Sequence, residues 1–120
     1  MVSSAALSDL IESITLDAYG TDEQLGAFLA AFSEEVRVPC PATVLHLPVE
    51  VLAFDAENDE RRGLVVLGGR GGRRVGVVSL VDVRFEPRTV GAWLHAEYRS
   101  WLGLAPFPSR RPTGWSWAER

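Results

Sequence analysis

Leu64-Val65-Val66-Leu67-Gly68-Gly69-Arg70-Gly71-Gly72-Arg73-Arg74-Val75-Gly76-Val77-Val78-Ser79-Leu80 is the stretch that makes this chain β-rich rather than helical. Leu64–Leu67 and Val75–Leu80 are dense in Val and Leu, the residues that fit a half-buried pleated surface. Between them, Gly68-Gly69-Arg70-Gly71-Gly72 supplies the residues that reach positive φ without a steric penalty, so the segment reads as the turn of a hairpin. A phosphate-binding loop would need a Gly-Lys-Ser/Thr ending and a following helix. This one has neither, and a strand follows it. Arg70, Arg73 and Arg74 could touch phosphates, but no stacking aromatic accompanies them, so nucleic acid is not the expected partner.

Working outward, Ala42–Leu47 and Val49–Phe54 read as two earlier strands and Val81–Phe85 as a later one. Five short strands with tight connections suggest a small, strongly bent SH3-like sheet or barrel. Two helices precede it. The first is predicted over Ser4–Ala18, with Leu7, Leu10, Ile11, Ile14 and Ala18 at helical spacing and Gly20 as a stop. The second starts at Thr21, whose hydroxyl and Gln24 fit a capping box, and Leu25, Phe28, Leu29, Phe32 and Val36 form its apolar stripe. Pro39 and Pro41 end helical structure. A third helix is predicted after Pro87, capped by Thr89 and stopped by Gly103, with Val90, Trp93, Leu94, Tyr98, Trp101 and Leu102 on its apolar side. The fold class is therefore α+β: one domain over 1–105, then a Pro-, Arg- and Trp-rich tail over 106–120, expected to be extended.

The 120 residues and 47% hydrophobic content suit one globular domain with its own core. Cys40 is the only cysteine, so one chain can form neither an internal disulfide nor a Cys₄ zinc site. A reducing, cytoplasmic setting is expected. The N-terminus lacks a basic region, so no signal peptide is expected, and no apolar run approaches the ~18–20 residues that cross a bilayer, so no membrane partner is expected. All twelve basic residues are arginine. Residues 1–60 hold one arginine and twelve acids, whereas 61–120 hold eleven arginines and four acids. Either the halves neutralise each other by packing, or the surface is dipolar, with one face for cations and one for acidic partners.

Asp55, Glu57 and Asp59 alternate like the first ligands of a calcium loop. Calcium takes about six to eight oxygens, which short carboxylates on a tight loop can supply. The EF-hand pattern fails, because Glu60 stands where Gly is needed and Val66 where the closing Glu is needed. A solvated acidic turn is the plain alternative. Asp17, Asp22 and Glu23 form a second acidic group, readable as helix capping or as further carboxylates for the same ion. His46, inside a strand, and His95, on the third helix, have no catalytic partner at a recognisable spacing, and Cys40 has no activating neighbour. No nucleophile is paired with a base, so the chain is not expected to be an enzyme. Trp115 and Trp117 either anchor a partner, another protein or a second copy of this chain, or fold back onto the domain.

Three stretches carry a family resemblance: Asp17-Ala18-Tyr19-Gly20 with Asp22-Glu23-Gln24; Val38-Pro39-Cys40-Pro41-Ala42-Thr43-Val44 leading into Val49-Glu50-Val51; and Tyr98-Arg99-Ser100-Trp101-Leu102-Gly103-Leu104. In this order they resemble the bacterial CcbP-like family of small calcium-binding proteins, over about residues 9–107. The resemblance implies N-terminal helices before a small barrel-like sheet, with cytoplasmic, non-enzymatic calcium binding of buffer or sensor type. It makes Ca²⁺, weakly held, the expected ligand. Asp17, Asp22, Thr43, Glu50, Asp55, Glu57 and Asp59 are its candidate ligands here. Pro41 stands where the family pattern often carries an acid. The alternative is a protein-interaction module with a degenerate calcium site, using the dipolar surface and the Trp115/Trp117 tail.

Overall fold

The computed structural model describes residues 10–16, 18, 20–56 and 63–117. The element order after the first helix is α2 (Thr21–Glu35), β1 (Cys40–Val44), β2 (Leu47–Ala56), β3 (Leu64–Arg70), β4 (Arg73–Ser79), a 3₁₀ turn (Leu80–Asp82), β5 (Arg84–Phe85) and α3 (Val90–Trp101). Of the expected first helix, α1, the described helical part is 10–14. The strands form one five-stranded sheet in the order β4-β3-β2-β1-β5, antiparallel at every pairing. Among the described residues β4 does not pair with β5, so the sheet is open and not a closed barrel.

The glycine hairpin forms where expected, but its strands run further into it. β3 continues through Gly68 and Gly69 to Arg70, and only Gly71 and Gly72 remain as the turn, with φ of 61° and 78°. Gly69 is required by close approach: a Cβ there would stand 2.5 Å from Leu52 Cδ1 and 2.7 Å from the Arg73 carbonyl oxygen. Leu52 lies at the register shift between Val51 and Ala53, which turns its side chain over this glycine.

The first hairpin differs from expectation. β1 ends at Val44, and Leu45-His46 is a two-residue turn with φ of 50° and 66°. His46 is therefore an exposed turn residue rather than a strand residue. Both positive φ values match the turn whose twist suits a hairpin, but Leu and His are not the residues that adopt it cheaply. Nothing in the sequence marks this turn, because Gly, Asn and Asp are all absent from it. Replacing Leu45-His46 with Asn-Gly is expected to raise stability by about 1–3 kcal/mol, read as a higher urea midpoint at unchanged slope.

Helix α2 starts at Thr21 with Gly20 as its cap, and no side chain caps it, so the expected capping box does not form. The Gln24 side chain instead accepts a hydrogen bond from Trp101 Nε1 at 3.1 Å. Phe28 and Phe32 face inward as the stripe predicts and are fully buried. Phe28 meets Tyr98 edge-on at 5.6 Å, and Phe32 packs on Phe54 of β2 at 5.1 Å. Helix α3 is capped as expected, with the Thr89 hydroxyl accepting from Ala92 N at 3.2 Å. It ends with Gly103 N donating to Ser100 O and Leu104 N to Arg99 O, the paired bonds of a Schellman motif. Every residue from Gly91 to Tyr98 is buried, so α3 is a central helix rather than an amphipathic one.

The expected fifth strand shrinks to two residues, because Leu80–Asp82 coils into a 3₁₀ turn that brings the Leu80 carbonyl to His95 Nε2 at 2.6 Å. Residues 105–117 form a strap over α3. Arg110 N donates to Pro87 O at 2.9 Å. The Phe107 ring stacks on His95 at 5.4 Å, with the guanidinium carbons of Arg84 and Arg99 4.1 and 4.0 Å from its centroid. Arg99 also donates to the carbonyls of Ala105 and Val81. Trp115 and Trp117 are half-buried against the core, and Trp115 Nε1 donates to the Glu35 carboxylate at 3.3 Å. No helix among the described residues is long and apolar enough to cross a membrane.

Candidate metal centre

The candidate ligands among the described residues fall at two ends of β2. Thr43 lies opposite Pro48 on one side and Arg84 on the other. Glu50 lies opposite Pro41 and Gly69. Their strand neighbours Ala42 and Val51 point into the core, so Thr43 and Glu50 share the outer face as diagonal neighbours, with Cα atoms roughly 7–8 Å apart. Glu50 Oε1 accepts a hydrogen bond from Gly72 N at 2.7 Å, which ties it to the glycine turn.

Asp55 lies near the other end of the strand, about 16 Å away at ~3.3 Å per residue. It is exposed, and its Oδ1 accepts from Ala56 N at 2.8 Å. Asp22 occupies the first turn of α2, where it also complements the helix N-terminus. The packing of α2 brings this turn to the Asp55 end. A Cβ on Gly63, just before β3, would stand 3.9 Å from Leu25 Cδ2 and closer still to the Tyr98 hydroxyl. That hydroxyl accepts the Leu64 N–H at 3.0 Å, fixing the start of β3 against α3. The Trp101–Gln24 bond holds the same turn of α2 from the α3 side. Asp22, Glu23 and Asp55 therefore belong to one end of the molecule, and Thr43 and Glu50 to the other. Asp17, Glu57 and Asp59 lie outside the described residues.

Calcium needs about six to eight oxygens, more than the carboxylates of Asp22 and Asp55 supply. Among the described residues no three of His, Cys, Asp or Glu come close enough to hold a metal ion. Two surface clefts lie elsewhere. One of about 650 Å³ separates Glu86–Arg88 from Pro106–Arg110. The other, of about 320 Å³, is bordered by Cys40, Phe85 and Gly91.

Burial governs the perturbed titratable groups. Burial pushes the Cys40 thiol up, away from the reactive thiolate. His95 is lowered to about 4, first by burial and then by the nearby charges of Arg99 and Arg84, against the bond to Leu80, so it is neutral at physiological pH. Glu97 escaped sequence reasoning. It is fully buried, neither carboxylate oxygen has a hydrogen-bond partner among the described residues, and desolvation pushes it up to about 9. Its spacing was the available signal: Glu97 follows Trp93 and precedes Trp101 by four residues, on a side of α3 that packing covers.

The fold is similar to that of the crystal structure of Anabaena CcbP, with a TM-score of 0.70 and 18% sequence identity over 88% of this chain and 97% of that one. At this identity the likeness is one of fold, and it bears out the CcbP-like architecture expected from the three resembling stretches. No family model matches the chain, and no curated protein sequence does.

Proposed function

We propose that this chain is a calcium-ion binding protein of buffer or sensor type, without enzymatic activity and acting in the cytoplasm. The carrying observation is the approach of Leu25 to Gly63, which gathers the acids of the α2 start with Asp55 at one end of the fold. Asp22 and Asp55 offer carboxylates there, and Asp17, Glu57 and Asp59, outside the described residues, remain the further candidate ligands. The CcbP-like fold supports the reading.

Calcium that binds only the folded state raises the melting temperature, with about 2.7 kcal/mol gained at a hundredfold excess over Kd. Millimolar calcium is expected to produce this rise, with magnesium producing much less. Asp22→Asn with Asp55→Asn should weaken calcium affinity tenfold or more in a titration. No calcium-specific rise, or affinity unchanged by both substitutions, would overturn the assignment.

A second reading keeps the fold without the ion. The split of the described candidate ligands between two ends of β2 favours it, as does the lack of a three-ligand group among the described residues. The chain would then be an interaction module using its charge asymmetry. The half-burial of Trp115 and Trp117 leaves the dipolar surface, rather than the tail, as the docking element.

A further inference from the structure

Antiparallel pairing puts two hairpin tips side by side. Pairing of Glu50 with Gly69, and the bond from Gly72 N to Glu50, brings the β3–β4 turn to the same end of the sheet as the β1–β2 turn. The first tip presents Leu45 and Leu47, 86% and 62% exposed, on either side of exposed His46. The second presents Arg70, Arg73 and Arg74, all exposed, followed by Val75 at 74% exposure. Glu50, the acid at this end of the adjoining strand, already accepts the Gly72 N–H.

Leu45 is the informative residue. It holds a left-handed backbone conformation at the point of a turn and buries almost nothing within its own chain. Strain at an exposed tip with no internal return is the pattern of a contact element. Two leucines at the point, with a collar of arginines behind them, match a bilayer surface. The apolar tips enter the acyl boundary while the guanidiniums meet anionic headgroups.

We propose that this end of the sheet docks on the surface of a bilayer rich in anionic lipid. Leu45 and Leu47 insert, and Arg70, Arg73 and Arg74 bind headgroup phosphates. The acids around the α2 start and Asp55 lie at the other end of β2, so docking points them away from the membrane. Such a contact needs no spanning segment, and it departs from the sequence-based expectation of no membrane partner. Nucleic acid fits less well, because glycines separate Arg70 from Arg73 and no Phe, Tyr or Trp stands at either tip, where His46 is flanked by two leucines.

The test is co-sedimentation of the full chain with phosphatidylcholine vesicles, with and without added phosphatidylglycerol, in EDTA. Excluding calcium keeps the result independent of the ion-binding reading. Binding is expected only to the phosphatidylglycerol vesicles, and to weaken with salt. Arg70→Gln, Arg73→Gln and Arg74→Gln together should weaken it roughly 100-fold, at about tenfold per 1.4 kcal/mol. Leu45→Ser with Leu47→Ser should weaken it at least tenfold, as should His46→Glu, with melting curves confirming that each variant folds. No binding to anionic vesicles overturns the proposal. Binding indifferent to the leucine and His46 variants also overturns it, because the site would then be an arginine patch open to any polyanion, single-stranded nucleic acid included.

Discussion

Glu97→Met is expected to raise the melting temperature by roughly 10 °C more at pH 8 than at pH 5. Methionine keeps the length of the side chain and removes two buried oxygens that no described residue satisfies. In the unfolded chain this carboxyl ionises near its ordinary value of 4.5, whereas in the fold it keeps its proton up to about 9. Below pH 4.5 both states are protonated and the group costs nothing through ionisation. As pH rises towards 9, folding must take up a proton, and stability falls, by roughly 3 kcal/mol at pH 7. Above about 9 the loss levels off. Glu97→Gln should flatten the same pH dependence but gain less, because its buried amide still lacks partners. Equal shifts for the methionine variant at pH 5 and pH 8 would show that Glu97 does not titrate differently in the two states.

Truncation after Pro108 is expected to lower the unfolding free energy by about 3–6 kcal/mol. It removes the Arg110–Pro87 bond and the half-buried rings of Trp115 and Trp117, with the Trp115–Glu35 bond. Against a total stability of about 5–15 kcal/mol, that loss leaves the chain marginal. Urea unfolding followed by near-ultraviolet dichroism reads it. An anchor that projects to a partner behaves oppositely, because its removal leaves the midpoint where it was. An unchanged midpoint would restore the tail as a docking element.

How much of this was legible depended on whether the deciding interaction was local. The Gly71-Gly72 turn and the Thr89 cap were readable because each is set by residues within a few positions. The α2 stripe was readable because Phe28 and Phe32 share one helical face. The Leu45-His46 turn was not, since its residues disfavour the backbone they hold and the register of β1 against β2 imposes it. The shortness of β5 reflects the bond between Leu80 and His95, fifteen residues apart, and no local pattern encodes it. The acidic end was half legible. Asp22 and Asp55 stood out as members of acidic runs, but their common end depends on how α2 crosses to Gly63. The split of Thr43 and Glu50 from Asp55 follows from strand register alone.

The sheet order also fixes when the pieces can assemble. β1–β2, β2–β3 and β3–β4 are sequence neighbours, so each joins by closing a short loop, a microsecond-scale event for a hairpin. β5 joins β1 instead, through Ala42–Phe85 and Thr43–Arg84, across the whole of the other three strands. That closure carries the largest entropic cost, and two residue pairs repay little of it. The β5 edge is therefore expected to form late, when α3 and the Phe107 strap arrive to hold it. Substitutions at Phe107 should then speed unfolding while leaving the folding rate nearly unchanged.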